Sequence, residues 1–224
     1  MIELRPASRK AIEYACTHFH YANRVPAVQY AYNIYNDGGE WCGVVIFGSG
    51  ATGNMAKGVG FNVGEVCELE RMALNGKQPC TSQVVAESLK RLHADAPQIK
   101  CVVSYADQNQ GHFGTIYQAT NWIYLGDTSR TSNAKPDAYI IRGKSYHPRS
   151  VGAKGWKQSI KWLRENIDPN TTEVWGLPKF KYVFVFDKRL RRQMMGKAKP
   201  YPKKGGDSNG KRAKPSPTEH TNEE

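Results

Sequence analysis

No apolar run in the 224 residues approaches the roughly 20 that a helix needs to span a bilayer, which excludes an integral helical membrane protein. No secretory signal pattern opens the chain. No pair of cysteines has the C-x-x-C spacing of a zinc or redox site. Cys16, Cys42, Cys67, Cys80 and Cys101 are five in number and widely scattered, so a disulfide framework is excluded and reduced thiols in a cytoplasm are expected. A glycine-rich methyltransferase loop and an Asn/Asp-Pro-Pro-Tyr/Phe motif are both missing, which argues against methyl transfer from S-adenosylmethionine. No internal repeat is visible.

Aromatic side chains and positive charge are plentiful. Hydrophobic residues make up 39% of the chain, and 12 Tyr, 7 Phe and 5 Trp support a well-buried core. The formal net charge is +12, unevenly spread. From Lys188 onward, 11 Lys/Arg stand against 4 Asp/Glu; the preceding 187 residues hold 21 against 16. Such a balance attracts polyanions, and nucleic acid is the commonest of them. Beyond Arg192, Pro, Gly, Lys and Ser dominate without periodicity. The expectation is one catalytic domain over 1–192 and a disordered basic tail over 193–224.

Ile2 to Pro6 alternates as a strand. Ser8 to Phe19 carries Ala11, Ile12, Ala15 and Phe19 at helical spacing behind a Ser8 N-cap. Two strands, 28–35 and 41–47, flank the hairpin turn Asn36-Asp37-Gly38-Gly39. A glycine-rich loop is expected over 48–60 and a strand over 65–74. A helix follows with Val85, Leu89 and Leu92 on one face. A strand over 100–106, a polar loop over 107–114 and a helix over 115–120 come next. Strands over 122–125 and 138–141, a helix over 156–166 and a strand over 182–186 complete the body. Hairpins followed by βαβ units predict an α/β fold, with a mixed central sheet and helices on both faces.

Two segments could carry chemistry. The strand-turn-helix from Glu68 to Leu92 presents backbone amides and a positive helix end to an anion. Lys77, Thr81 and Ser82 are its side-chain candidates for binding a cofactor pyrophosphate. The Gln/Arg-x-x-Gly-x-Gly/Ala signature usual for acetyltransferases is absent, with only Gly76 present. The second segment is Ser104-Tyr105-Ala106-Asp107, at a strand end where open α/β sheets bind ligands, followed by Gly111-His112-Phe113-Gly114-Thr115-Ile116-Tyr117. Asp107 could hold or deprotonate an amine, and Tyr117 could donate to a leaving group. Taken singly, Asp107 is as readily a helix N-cap and Tyr117 a half-buried core aromatic. Cys101 reads as packing, and Trp41, Trp122 and Trp162 as core.

In order along the chain come His20-Tyr21, Glu70-Arg71-Met72-Ala73-Leu74, Ser104-Tyr105-Ala106-Asp107, Gly111 to Ala119, Trp122-Ile123-Tyr124-Leu125-Gly126 and Lys181-Tyr182-Val183-Phe184. Together these resemble the Mom family of phage DNA-modification proteins, distant relatives of the GNAT N-acetyltransferase superfamily. The resemblance implies a GNAT-like, mainly antiparallel sheet and a DNA-modifying transferase. It would convert the exocyclic amine of adenine in double-stranded DNA to its methylcarbamoyl (carbamoylmethyl) form. The setting implied is the cytoplasm of a phage-infected bacterium, where the change shields phage DNA from host restriction. The site implied by motif match is Arg71, Ser104, Asp107 and Tyr117, with His20 and Tyr21 facing them.

The product has a CH2 on the adenine nitrogen, whereas a thioester is electrophilic at its carbonyl carbon. Either the acyl-CoA-like donor is not simply acetyl-CoA, being an unknown carbamoylmethyl donor, or a redox metal activates that carbon. His20, Tyr21 and Asp107 are the candidate iron ligands, since imidazole and carboxylate suit such a metal. Two other readings stand beside this one: a conventional acetyl-CoA-dependent N-acetyltransferase of a small amine or protein lysine, and a non-catalytic basic DNA-binding protein. A homodimer is compatible with the sequence, but nothing in it demands one.

Overall fold

The computed structural model describes residues 2–50, 54–128 and 135–203. Where one domain over 1–192 was expected, these residues form two compact units. The first lies within 1–106, 113–126 and 180–204, and the second within 107–112 and 127–179.

In the first unit the elements are β1 (Glu3–Pro6), α1 (Arg9–His18), β2 (Tyr30–Tyr35), β3 (Trp41–Gly48), α2 (Asn54–Val59), β4 (Val66–Leu74), α3 (Thr81–Asp95), β5 (Cys101–Ala106), α4 (Thr115–Ala119) and β6 (Ile123–Asp127). The second unit adds β7 (Ala138–Ile141), β8 (Lys144–Tyr146), α5 (Pro148–Ala153), α6 (Ile160–Asn166) and β9 (Thr172–Val174). The chain then returns to the first unit with β10 (Phe180–Val185) and α7 (Lys188–Met195). Seven strands make one sheet in the order β1-β2-β3-β4-β5-β10-β6. The pairs β1–β2, β2–β3, β3–β4 and β5–β10 are antiparallel, and β4–β5 is parallel. The mixed, mostly antiparallel sheet of the sequence reading is the observed one.

Strand alternation sorts the core. Val45, Phe47, Val102 and Tyr182 face α3 and α4 and pack with Val85, Leu89 and Tyr117. Their strand neighbours turn the other way, Val44 and Ile46 toward α1 and Cys101, Val103 and Val183 toward α2 and α7. Helices therefore cover both faces. The second unit closes its own small core around Tyr139, Ile141, Val151 and Leu163, beside the antiparallel sheet β8-β7-β9.

Two expectations change. Part of the supposed glycine-rich loop is the helix α2, because Met55, Ala56 and Val59 bury one side against β4 and β5. The supposed disordered tail is folded as far as Lys203; the rest of it lies outside the described residues. Its amphipathic start, Leu190 and Met194 at i and i+4, docks as α7 on the sheet behind an Asp187 N-cap. The following residues strap the edge strand β6: Lys199 N–H donates to Tyr124 O (2.8 Å), and the Tyr201 hydroxyl donates to Trp122 O (2.6 Å).

Candidate active site

The sheet opens where its only described parallel pair ends. β4 and β5 are bonded through Glu68↔Val103 and no further. Beyond that level β4 pairs with β3 alone, and β5 pairs with β10 alone. A bulge reinforces the divergence. Ile46 faces Arg71 and Phe47 faces Leu69, so Glu70 is the extra residue that twists β4 away.

Ser104 sits at the start of this gap, buried, with its Oγ 2.9 Å from Leu69 O and 2.8 Å from the Tyr117 hydroxyl. A carbonyl can only accept, and serine has one proton to give. Ser104 therefore donates to Leu69 O and accepts from Tyr117. Burial pushes the Tyr117 phenol up to about 12. It is a neutral hydrogen-bond donor at physiological pH.

The position of Tyr117 is fixed from below. Gly114 caps α4 with φ of 74°, and an added Cβ would lie 2.3 Å from the Tyr182 ring. Only glycine meets both demands at this point. The Tyr182 hydroxyl donates to Phe113 O (2.6 Å), and Gln118 Nε2 donates to both Phe113 O and the Tyr182 hydroxyl.

Two carboxylates that sequence reasoning passed over also belong here. Glu68 is the last β4 residue paired to β5, and a side chain at Gly50 would come within 3.0 Å of its Oε2. Tyr105 is pushed up to about 12 by burial, and the negative charges of Glu68 and Glu70 add to that. Glu68 acts in the same sense on Tyr117, as does the Tyr21 phenol. Register alone put Glu68 at the gap, and a strand carrying a bulge does not disclose its register in the sequence.

The structure thus brings Tyr21, Ser104 and Tyr117 together. His20 stacks on Tyr21 with ring centroids 4.4 Å apart, and its Nδ1 accepts from Ala22 N–H. Arg71 faces α1, where its charge partly offsets the burial that raises the Cys16 thiol. Its Nη1 donates to Glu70 O (3.0 Å), while its buried Nε has no hydrogen-bond partner among the described residues. Asp107 opens the second unit as an N-cap: its Oδ1 accepts from Asn109 N–H (2.9 Å) and from Asn109 Nδ2 (3.1 Å).

The iron site expected of His20, Tyr21 and Asp107 gains no support from the structure. Among the described residues no group of three or more His, Cys, Asp or Glu is placed to hold a metal.

A CoA-like group fits better. The 15-residue α3 begins at Thr81, and a cavity of about 490 Å³ runs along it past Ser82, Gln83, Lys90 and His93 to Phe184 and Phe186. The side chains predicted to bind a cofactor have local partners. Lys77 is paired with Glu40, Thr81 Oγ accepts from Gln78 Nε2 (3.1 Å), and Ser82 Oγ lies 2.9 Å from Cys80 Sγ.

Comparison with known proteins adds three findings. The profile of the Mom protein family matches residues 1–203. Methylcarbamoylase mom of Escherichia phage Mu is 26% identical over 193 residues, covering 82% of this chain and 76% of the phage protein. Solved acetyltransferases resemble the chain more distantly. The dodecameric spermidine N-acetyltransferase of Vibrio cholerae has a TM-score of 0.47 and 7% identity, over 85% of this chain and 97% of its own. An aminoglycoside acetyltransferase in complex with coenzyme A and kanamycin has a TM-score of 0.45 and 9% identity, over 86% and 98%.

Proposed function

Because the chain belongs to the Mom protein family, we propose that it is a transferase that modifies DNA, converting the exocyclic amine of adenine to its methylcarbamoyl (carbamoylmethyl) form. It acts in the cytoplasm of a phage-infected bacterium and shields the phage DNA from restriction. The relative in phage Mu is named for that group. The observation that carries the reading is the buried Ser104–Tyr117 hydrogen bond at the mouth of the β4–β5 gap, beside Glu68.

The target amine takes part in base pairing, so the base must leave its stack at a cost of roughly a few kcal/mol. Tyr21, 56% exposed and braced by His20, supplies an aromatic face for the extruded ring. The amine is a weak nucleophile, its lone pair being delocalised into the purine. Glu68 takes its proton as the new bond forms. Asp107 was the candidate for this task on sequence, but its Oδ1 is held in the turn it caps. Tyr117, kept neutral by burial and held at the gap by Ser104, turns its O–H from Ser104 to the negative charge that develops on the donor. Arg71 offers an unsatisfied N–H to an anionic or carbonyl oxygen. The cavity along α3 and the amides at its first turn hold the donor's nucleotide end.

An acyl-CoA-like donor, when bound, would supply the carbon electrophile. Plain acetyl-CoA is electrophilic at its carbonyl, so the donor must carry an activated CH2, as a carbamoylmethyl donor would: the N–CH2 bond would form as the bond from that CH2 to its leaving group breaks, the electron pair departing with the leaving group.

The test is mass spectrometry of nucleosides from cells expressing the chain. A new deoxyadenosine species is expected, reduced by roughly 10²-fold or more in Glu68→Gln and in Tyr117→Phe. Unmodified adenine, together with acetyl-CoA turnover that needs no DNA, would sink the proposal.

A further inference from the structure

The positive charge of the chain is concentrated on folded residues. Residues 188–203 hold seven Lys/Arg and no Asp or Glu, whereas 204–224 hold four of each. The net positive charge from 188 onward therefore lies on α7 and the strap over β6.

Six surface cations of the first unit's body are neutralised in place. Arg5, Arg9, Lys77, Lys90, Arg91 and Lys100 each pair with a carboxylate within 4.0 Å. Among the described residues no such pair involves a cation of 188–203. Lys188, Arg189 and Arg192 are exposed and share one face of α7 by their i, i+3 and i, i+4 spacing. Leu190 and Met194 hold the opposite face on the core. Arg191 alone turns inward: its Nη2 donates to Asn121 O, and its guanidinium lies 5.8 Å from the centroid of the Phe184 ring. Past the helix, exposed Lys199 and Lys203 continue the strip while the strap crosses from the α7 face of the sheet to α4, where Gln118 Nε2 donates to Pro202 O (3.4 Å).

We propose that the outer face of α7 and the strap form a docking ridge for the phosphate backbone of duplex DNA. This proposal rests on the reading of the chain as a DNA-modifying enzyme. An eight-residue helix is about 12 Å long, and B-DNA carries one charge per about 1.7 Å of axis, so the ridge spans several phosphates. Unpaired cations on a rigid base need no existing ion pair to be broken before they bind. They touch no base edge, so they hold any sequence alike and leave base choice to the gap.

The test is fluorescence anisotropy with a labelled duplex oligonucleotide over a series of salt concentrations, using the full chain. Each phosphate contact contributes a slope of about −0.9 in log K against log salt. The triple variant Lys188→Gln, Arg189→Gln, Arg192→Gln is expected to flatten the slope by about 2.7. Removing 204–224 should leave it unchanged. Thermal unfolding of the triple variant checks that the fold survives, as its exposed positions predict. A triple variant with the parental slope overturns the proposal. So does loss of the slope on deleting 204–224, or a triple variant that loses binding only to phosphatidylserine vesicles. Nucleoside analysis separates the two readings. A flattened slope with no modified nucleoside from the parent chain keeps the ridge and removes the enzyme. A modified nucleoside with an unchanged slope does the reverse.

Discussion

Four of the five cysteines are buried, and Cys80 is exposed at the start of α3. Its thiol is held below the ordinary value by the Ser82 hydroxyl and by amides of the first helical turn. Burial drives the others in the opposite direction, Cys101 to about 12. Because the thiolate is the nucleophile, alkylation by iodoacetamide near neutral pH should give one fast adduct, on Cys80, absent in Cys80→Ser. Equally fast labelling of Cys67 or Cys101 would contradict the burial described. Ser104 and Tyr117 could be singled out in the sequence because they stand in a distinctive motif, and the structure joins them by a hydrogen bond. Glu68 could not, since Glu68-Leu69-Glu70 alternates as any half-exposed strand does and does not tell which carboxylate lies at the gap. Asp107 shows the converse: its strand-end position suggested a base, and the backbone and side-chain amides of Asn109 hold one of its carboxylate oxygens.

At the scale of elements, periodicity located nearly every strand and helix whose buried face is long. The short α2, β8, α5 and β9 escaped, as three to six residues hold too few turns or alternations to show a period. The helix α7 escaped because its charge resembles a solvated tail, although Leu190 and Met194 mark its buried face. The αL cap of α4 offers a test at this scale. Gly114→Ala places a methyl carbon against the Tyr182 ring and disfavours the left-handed backbone. The combined cost should be about 2–4 kcal/mol, read as a lowered denaturation midpoint. Modification should fall with it, because Tyr117 rides on the same short helix. An unchanged midpoint would mean that α4 does not depend on that cap.

For the whole molecule, the buried acids set an alkaline limit. Tyr105, Tyr117 and Tyr182 are raised to about 12, Tyr32 is raised as well, and Cys67 and Cys101 move the same way, in each case chiefly by burial. In the unfolded chain these thiols and phenols ionise near 9 and 10, while in the folded chain they keep their protons. Above those unfolded values the folded state binds more protons, so stability falls as pH rises. Their contribution is fully present below pH 9 and drains away toward the folded values. Lys181, depressed by burial, works in the opposite sense over part of that range, but it is one group against six. Circular dichroism melts should show Tm level through neutrality and dropping from about pH 9 upward. A Tm that climbs over that range would contradict the burial of these phenols.

The strand that ties the edge strand β6 to the rest of the sheet is the last of the described strands in chain order. β10 lies between β5 and β6, so until Val185 has emerged β5 keeps a bare rim and β6 has no neighbour to hold it. The Tyr182 ring that props Gly114 and Phe113 arrives with the same strand. A nascent chain therefore carries every residue assigned to catalysis without the frame that aligns them. Fragments ending before 180 should yield no modified nucleoside, whereas chains that include β10 should.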